Sequence, residues 1–232
     1  MSINHLHIAI IMDGNRRYAK KRGLSVDCGH RRGADKIEEI LDWCIELKIK
    51  ELTLYTFSTE NFKRKKDEVN FLMHLFQERF HRLIDDERVS KNRIKIRFIG
   101  KISMLPKKVR DEISAVEKKT ARFSGYFLNF AIAYGGRQEI LDAAREIARK
   151  AASGKINPER INEKVFESYL LLKSKPDIVI RTAGDLRTSN FLPWQSAYSE
   201  WFFLKNSWPE FRKSSLKKII SEFRERKRNF GR

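Results

Sequence analysis

The chain has 232 residues, 41% of them hydrophobic, and carries a formal net charge of +19. This length and composition predict one folded domain over residues 1–232. Cys28 and Cys44 show neither metal-site spacing nor a disulfide pattern, and no apolar stretch is long enough to span a membrane. We therefore expect a cytoplasmic protein, with contact to a membrane surface left open. The positive charge is compatible with three partners: nucleic acid, an anionic membrane surface or a phosphorylated substrate.

Apolar runs typical of strands alternate with helical patterns along the chain. We predict strands near His7, Leu52, Ile94, Phe127, Ile178 and Trp201. We predict helices over residues 35–47, 69–85, 106–122, 137–152, 159–172 and 209–226. This order predicts an α/β fold in which helices cover a central, largely parallel six-stranded sheet. In such a fold the ligand site lies at the carboxyl ends of the strands.

The first strand runs into a polar turn in the segment HIAIIMDGNRRY, residues 7–18. Asp13 stands at the end of this strand, and Gly14 allows the backbone to approach a ligand closely. A helix that begins near Asn15 would point its free N–H groups and its positive dipole end at an anion. An acid beside an anion site favours a metal-bridged diphosphate. The alternative is that Asp13 only caps the helix.

Two further polar clusters are expected at the same edge of the sheet. The turn predicted at Gly29–Gly33, GHRRG, precedes a helix and places the titratable His30 beside phosphates, unless this histidine is structural. The segment STENFKRKK follows the second strand and offers groups that could handle protons or bind a phosphate, an aromatic wall and positive charge. Its candidate residues are Ser58, Glu60, Asn61, Phe62 and Arg64.

The helix predicted over residues 69–85 is more apolar than a helix covering one sheet face requires. Its apolar residues fill one broad face, while Phe71 and Leu75 add apolar surface elsewhere. Two elements that both cover the helix are the favoured explanation. The alternative is an apolar tunnel between the sheet and the helices, which would hold a hydrocarbon substrate.

An apolar run ends in two arginines in the segment DIVIRTAGDLRTSN, residues 177–190. Arg181, Arg187 and Ser189 follow this run, where a parallel sheet opens at its carboxyl edge. Guanidinium groups bind phosphate oxygens bidentately, but this segment alone favours an anion site and a pair of ordinary surface charges about equally. The segment at residues 7–18, with Asp13 and Gly14, decides in favour of the anion site. Glu200 precedes the last predicted strand, where a carboxylate needs a cation or a partner chain.

The segment 212–232 holds nine Lys or Arg residues against two Glu residues. Leu216, Ile219, Ile220 and Phe223 recur in it at helical spacing, which predicts a basic amphipathic helix. The favoured interpretation is a solvated last helix of the fold. The other is a helix that contacts an anionic membrane surface.

Six segments, in order along nearly the whole chain, closely resemble the cis-prenyltransferases, which are the undecaprenyl and dehydrodolichyl diphosphate synthases. They are HIAIIMDGNRRYAKKRG, GHRRG, LTLYTFSTENFKR, LNFAIAYGGR, IRTAGDLRTSNFLPWQSAYSEWFF and WPEF. These motifs are long and specific. The spellings MDGNRRYAKK and ENFKR are closer to archaeal and eukaryotic members than to bacterial ones.

The resemblance implies a homodimeric enzyme that condenses isopentenyl diphosphate repeatedly onto an allylic diphosphate, either farnesyl or geranylgeranyl diphosphate. The product implied is a medium- to long-chain Z-polyprenyl diphosphate for lipid glycan carriers. By similarity, Asp13 would hold Mg²⁺ on the diphosphates, and Glu200 would complete the metal site. The allylic diphosphate would be bound by Gly14, Asn15, Arg16 and Arg17. Isopentenyl diphosphate would be bound by Arg181, Arg187 and Ser189.

The resemblance also implies roles around the reacting carbons. Asn61, with Ser58 and His30 nearby, would orient the incoming diphosphate or relay the proton that is lost after condensation. Tyr18 and Phe62 would flank the isoprenoid, and the positive charge of Arg64 would help to bind the substrates.

Some positions depart from the family pattern. Val26 stands where many bacterial members carry an arginine that binds the allylic diphosphate. The sequence AGD at 183–185 replaces the usual GGE and keeps a carboxylate. Asn229 stands where the family's Arg-x-Gly ending has its arginine, with Arg228 one step away. These departures bear on allylic binding and on any role of the tail.

Product length should depend on side chains at the tunnel floor. Thr56 is small enough to leave the tunnel open. Tyr126, Phe71, Phe76 and Phe80 are bulky enough to obstruct it. A medium or long product is expected, with a short one as the alternative.

Two other classes of protein compete with an active prenyltransferase. A nucleic-acid-binding protein would explain the charge, but it would leave Asp13, Glu200 and the strand-end arginines without a role, so nucleic acid is not expected as a partner. A non-catalytic prenyltransferase subunit would keep the fold but lose the metal-binding acid. The presence of both Asp13 and Asn61 favours an active enzyme.

Overall fold

The computed structural model describes residues 5–226, and six strands in this range form one sheet in the order β3-β4-β2-β1-β5-β6. The strands are β1 (His7–Ile11), β2 (Glu51–Ser58), β3 (Ile94–Ile99), β4 (Tyr126–Tyr134), β5 (Ile178–Arg181) and β6 (Glu200–Phe203). Every neighbouring pair is parallel. The predicted α/β fold is confirmed, and its sheet is wholly parallel. The carboxyl ends of all six strands therefore face one edge.

Helices connect the strands and cover the sheet. Those of residues 5–226 are α1 (Asn15–Lys21), α2 (Val26–Glu46), α3 (Lys66–Ile84), α4 (Glu87–Lys91), α5 (Lys107–Thr120), α6 (Gly136–Ala152), α7 (Glu163–Glu167) and α8 (Lys213–Glu225). Alternate side chains of β1 enter two different hydrophobic clusters. Ile8 and Ile10 join the larger cluster, to which α2, α3, α5 and α8 contribute, while Ala9 and Ile11 join a smaller one on the other face.

The predicted turn at Gly29–Gly33 is wrong, because these residues lie inside helix α2. The helix begins at Val26, and the Ser25 hydroxyl caps it by accepting a hydrogen bond from the backbone N–H of Cys28 at 3.2 Å. A Cβ at Gly29 would lie 2.3 Å from the carbonyl oxygen of Asn15. The glycine therefore serves the close crossing of α1 and α2 and not a turn.

Two other helix predictions need correction. The helix predicted over 159–172 shrinks to the five residues of α7, which Asn162 caps. Helix α4 was not expected, and it is capped by Asp86, whose carboxylate accepts from the backbone N–H of Arg88. Both differences concern short elements, for which hydrophobic periodicity is a weak signal.

The apolar side of α8 is used by the core. Leu216, Ile219 and Ile220 are at most 6% exposed, which supports the solvated last helix over a membrane-contacting one. Arg228 and Asn229 lie outside the described residues. Within residues 5–226, no helix has the length and apolar character that a membrane crossing requires. The cytoplasmic location and membrane-surface contact stay predictions.

Candidate active site

A cleft of about 1140 Å³ opens at the carboxyl edge of the sheet, among the segments that follow β1, β2 and β5. It is lined by nearly all the predicted site residues. These are Asp13, Gly14, Asn15, Arg16, Arg17, His30, Ser58, Asn61, Arg64, Arg181, Arg187 and Ser189. Tyr18, Phe62 and Glu200 are not among its lining residues.

Asp13 is held in the cleft by its carboxylate and by its backbone. Its Oδ1 accepts from the backbone N–H of Gly14 at 2.7 Å, and its Oδ2 accepts from Arg181 Nη2 at 2.9 Å. Arg17 Nη2 lies 3.4 Å from the same Oδ2. The N-cap of α1 is Gly14, without a side-chain cap bond, so the interpretation of Asp13 as a simple N-cap is wrong.

Gly14 is required where three segments converge. Its φ of 101° lies in the left-handed region, and a Cβ would stand 2.7 Å from the Ala183 Cβ and 2.9 Å from the Ser207 Cβ. The Asp13 carbonyl accepts from the Thr182 hydroxyl at 2.7 Å and from the Trp208 backbone N–H at 2.9 Å. The turn after β1 is thus fixed by the segments after β5 and β6.

Arg181 joins the two predicted diphosphate sites. The residue is only 3% exposed, and its Nη1 donates to the Ser189 Oγ at 2.7 Å and to the Arg187 carbonyl. Its Nη2 donates to Asp13. One guanidinium therefore fixes both the acid at the end of β1 and the loop after β5.

Asp185 is a site residue whose function the sequence pattern did not reveal. Its Oδ2 accepts from Arg17 Nη2 at 2.7 Å, and Arg187 Nη2 lies 3.1 Å from it. Burial alone would raise the pKa of Asp185, but the hydrogen bond from Arg17 and the charges of Arg17 and Arg187 lower it. An ionised carboxylate thus pairs with arginines predicted to bind two different diphosphates.

Glu68 is a second residue that the sequence analysis missed. Its Oε1 lies 3.1 Å from His30 Nε2 and accepts from Arg64 Nη1 at 3.1 Å. Burial lowers the pKa of His30, although the hydrogen bond to Glu68 opposes this shift. His30 is therefore neutral near pH 7, and its Nε2–H donates to the carboxylate. The spacing of Arg64 and Glu68, four residues apart, was the signal available in the sequence.

Ser58 and Asn61 line the cleft and also bond to each other. The Asn61 Oδ1 accepts from the Ser58 backbone N–H at 3.1 Å, and the Ser58 hydroxyl accepts from the Asn61 backbone N–H. This reciprocal capping box begins the short 3₁₀ helix Thr59–Lys63. The two side chains are therefore held in place before any ligand binds.

Two predicted isoprenoid contacts point elsewhere. Phe62 packs edge-on against Phe57, with ring centroids 4.9 Å apart, and Tyr18 lies under the guanidinium of Arg22 at 4.3 Å. Neither ring lines the cleft. Their contact with substrate stays a prediction.

Glu200 lies at the opposite edge of the sheet from Asp13 within one chain. It begins β6 and pairs with Ile178, the first residue of β5, whereas Arg181 ends β5 at the cleft. Along the strand direction, about three residues, or roughly 10 Å, separate Glu200 from the position of Arg181. The carboxylate accepts from Arg226 Nη1 at 2.6 Å. A metal site shared by Asp13 and Glu200 would therefore need a second copy of the chain.

An apolar cavity of about 100 Å³ lies between α2, α3 and the sheet, where the sequence predicts a tunnel. It shares five lining residues with the cleft, namely Met12, Asn15, His30, Thr56 and Leu72. Phe76 and Phe80 line it, as expected. Phe71 lies under Arg31 and Tyr126 under Lys50, and neither lines this cavity.

The cleft fits a metal held largely by its ligand. Among residues 5–226, no three His, Cys, Asp or Glu side chains are grouped closely enough to hold a metal ion. Mg²⁺, however, is commonly bound through one or two carboxylates plus substrate phosphates. Asp13, 31% exposed at its side chain and lining the cleft, fits that arrangement.

A cleft rich in arginine that continues into an apolar cavity suits ligands that join an anionic group to a hydrocarbon chain. A family model described as "Putative undecaprenyl diphosphate synthase" matches residues 11–231. The chain belongs to this family, the cis-prenyltransferases, and is an enzyme of the polyprenyl diphosphate synthase type.

Two similar relatives come from archaea. The protein of Thermococcus kodakarensis is 53% identical over 228 residues, which cover 97% of this chain and 86% of the relative. The protein of Thermoplasma volcanium is 51% identical over 228 residues, which cover 97% of this chain and 88% of the relative. Both are named tritrans,polycis-undecaprenyl-diphosphate synthase (geranylgeranyl-diphosphate specific).

Two solved structures are also similar. Lavandulyl diphosphate synthase from Lavandula x intermedia, in complex with dimethylallyl diphosphate, has a TM-score of 0.93 at 36% identity, with 100% of both chains covered. A probable undecaprenyl diphosphate synthase from Campylobacter jejuni has a TM-score of 0.81 at 35% identity, with 99% of this chain and 100% of that chain covered.

Proposed function

We propose that this cis-prenyltransferase condenses isopentenyl diphosphate repeatedly onto an allylic diphosphate with Mg²⁺ and releases a medium- to long-chain Z-polyprenyl diphosphate. Relatives 51% and 53% identical are named as specific for geranylgeranyl diphosphate, which is therefore the proposed primer. Farnesyl diphosphate is the alternative primer. The proposed use of the product is as a lipid carrier of glycans.

The observation that carries this proposal is the joining of two chemically different spaces. The cleft contains Asp13 and Arg181 in direct contact, and it shares Thr56 and Leu72 with the apolar cavity. Each substrate has a charged diphosphate and an apolar chain. A site with the same division can bind the diphosphate in the cleft and direct the hydrocarbon between α2 and α3.

Asp13 is proposed to hold Mg²⁺ together with diphosphate oxygens. When bound, the ion supplies Lewis-acid stabilisation of the leaving diphosphate. Arg16 and Arg17 are proposed to bind the allylic diphosphate, and Arg181 and Arg187 to bind isopentenyl diphosphate. Because Asp185 already pairs with Arg17 and Arg187, arriving phosphates compete with this carboxylate for the guanidinium groups.

The reaction breaks the bond between the allylic carbon and its diphosphate oxygen. The electron pair of the isopentenyl double bond forms the new carbon–carbon bond, and one proton is lost. Burial lowers the pKa of His30, so its ring is neutral near pH 7 and free to take up this proton, and the adjacent Glu68 carboxylate would stabilise the protonated ring. As the alternative, Asn61 and Ser58 would relay this proton or orient the incoming diphosphate.

A homodimer is proposed on the basis of the outer strand β6. Strand β6 pairs with β5 on one side, and edge strands of this kind are ordinarily protected or covered. Trp201 and Phe203 stack along it with ring centroids 5.7 Å apart, and Phe203 is 37% exposed. A second copy of the chain that covers the free side of β6 would also approach Glu200.

The proposed function is tested with purified protein, Mg²⁺, radiolabelled isopentenyl diphosphate and either geranylgeranyl or farnesyl diphosphate. Products are dephosphorylated and separated by chromatography. We expect polyprenols from the native chain and a loss of at least about 100-fold in rate for Asp13→Ala, since removing a group that stabilises transition-state charge typically costs this much. Asp111→Ala serves as the control, because Asp111 is 60% exposed on α5 and pairs with Lys107.

Absence of product from both primers, with folded protein, would contradict the proposal. It would favour the non-catalytic subunit, in which the same fold serves a catalytic partner. Equal rates for Asp13→Ala and the native chain would remove Asp13 from the reaction.

A further inference from the structure

The apolar cavity is too small for the product proposed above. It holds about 100 Å³, whereas pockets for drug-sized ligands begin at roughly 300 Å³. A polyprenyl chain that grows by repeated condensation needs several times the present space. Protein interiors are close-packed, so a movement of the walls is needed to widen the cavity between the helices and the sheet. The walls facing the sheet are α2 and α3.

We call the line of contact between α2 and the facing helices α3 and α4 the seam, and a row of ion pairs lies along it. Arg79 of α3 donates through Nη2 to Asp35 at 2.6 Å and through Nη1 to Glu38 at 2.8 Å. Arg88 of α4 lies 3.8 Å from Glu38 and 3.4 Å from Asp42. We call these five residues the clasp. The three acids follow one another along α2 at spacings of three and four, so they share one face of the helix.

Arg79 and Glu38 are the members of the clasp that line the cavity. The Arg79 side chain is 18% exposed and lines the cavity between Leu75 and Leu83 of the same helix. Its Nε is buried and has no hydrogen-bond partner among the described residues. The two acids that it contacts are each 48% exposed. One side of the clasp is therefore in contact with the apolar wall, and the other is in contact with water.

We propose that the clasp is the gate between α2 and α3, and that Arg79 is a specificity-determining residue for product length. The inference rests on the proposed function. Opening the seam returns the half-exposed carboxylates to water, where ion pairs are weak. Both helices also contribute apolar residues to the larger cluster, and these contacts would hold them to the sheet. A growing chain that presses on Leu75 and Leu83 can thus part the seam without unfolding the helices.

Arg79→Met removes the charge of Arg79 but keeps an unbranched apolar side chain of similar length. The double variant Asp35→Asn, Glu38→Gln removes the opposite charges at nearly constant volume. We expect both variants to shift the main product by at least one isoprene unit toward greater length at equal conversion. Arg79→Lys, which keeps a positive charge, should retain the native product. Arg149→Met is the control, because Arg149 forms an ion pair with Glu146 on α6, away from the seam.

Salt provides a readout that a purely structural role would not produce. Raising the ionic strength from about 0.1 M to 1 M shortens the screening length from about 10 Å to 3 Å and weakens exposed ion pairs. The native product should lengthen with salt, while the product of Arg79→Met should not change. Identical product lengths for all variants at every salt concentration would overturn the clasp.

A native chain that makes no product would contradict the proposed function and not the clasp. In that case amide hydrogen exchange, measured without substrate, tests the clasp. Exchange in residues 35–42 and 75–83 must be faster in Arg79→Met than in the native chain, and unchanged in Arg149→Met. Equal exchange in the native chain and Arg79→Met would also overturn the clasp.

Discussion

The two edges of the sheet carry similar polar residues but use them differently. At the amino edge, His7 Nε2 lies 2.8 Å from the Thr53 hydroxyl, and Asn129 Nδ2 donates to Thr53 at 3.0 Å and to Glu51 at 2.7 Å. Ser174 donates to Glu51 at 2.6 Å. These side chains bond mainly to one another and are buried or half-buried.

At the carboxyl edge, polar side chains face a cleft of about 1140 Å³. The backbone there adopts left-handed conformations outside glycine, with φ of 73° at Ala183, 48° at Ser189 and 62° at Asn190. Such conformations cost free energy and are concentrated at functional sites. The comparison teaches that a polar residue at a strand end indicates a binding site only when its side chain faces a cleft.

The largest expected contrast comes from Arg187→Ala at the carboxyl edge. The KM for isopentenyl diphosphate should rise roughly 10- to 100-fold, since a charged hydrogen bond contributes about 1.5–3 kcal/mol. The side chain is 62% exposed, so the free energy of unfolding should change by less than about 0.5 kcal/mol. Steady-state kinetics and urea unfolding measure the two quantities, with the exposed Arg145→Ala on α6 as control. An unchanged KM would remove Arg187 from the binding site.

Thr53→Val at the amino edge is expected to lower stability and leave the kinetics unchanged. Valine keeps the shape of threonine but leaves His7 and Asn129 without a shared partner in a buried site. A buried group that loses its hydrogen-bond partner costs about 1–3 kcal/mol. The free energy of unfolding should therefore fall, while KM and kcat stay within about twofold of the native values. A loss of activity in the folded variant would break the comparison.

The smallest effect is the pH dependence of stability. Burial lowers the pKa of His7 below 6.5, although the charges of Glu51 and Asp177 oppose this shift, and burial also lowers the pKa of His30. Below about pH 6.5 the unfolded chain therefore binds more protons than the folded chain, and stability falls as the pH falls. The slope should not exceed about 1.4 kcal/mol per pH unit for each histidine.

Urea unfolding between pH 7.5 and 5 measures this slope. The lowered carboxyl pKa values of Glu68 and Asp185 act at more acidic pH, so this window isolates the histidines. His7→Asn should reduce the slope, because it removes one of the two histidines whose pKa burial lowers. A slope that is the same in the native chain and His7→Asn would show that His7 titrates alike in both states.

Much of the site could be predicted because it depends on local order in the chain. Asp13 follows β1, Arg181 ends β5 and Ser189 lies in the segment after it, and the ends of parallel strands necessarily meet at one edge. The glycines of GHRRG were assigned wrongly, because a glycine in a turn and a glycine at a helix crossing look alike in a sequence. Glu68 was missed because its partner His30 is 38 residues away.

The sequence by itself determined the βα order, the parallel sheet and the residues delivered to its carboxyl edge, because these follow from short-range periodicity and strand ends. Only the tertiary structure decided that Glu200 begins its strand away from Asp13, that Asp185 pairs with arginines of both predicted diphosphate sites, and that the apolar cavity is narrow. The closure of the seam by Arg79 belongs to the same group. These features depend on strand register and on the packing of helices distant in sequence, and no local pattern encodes them.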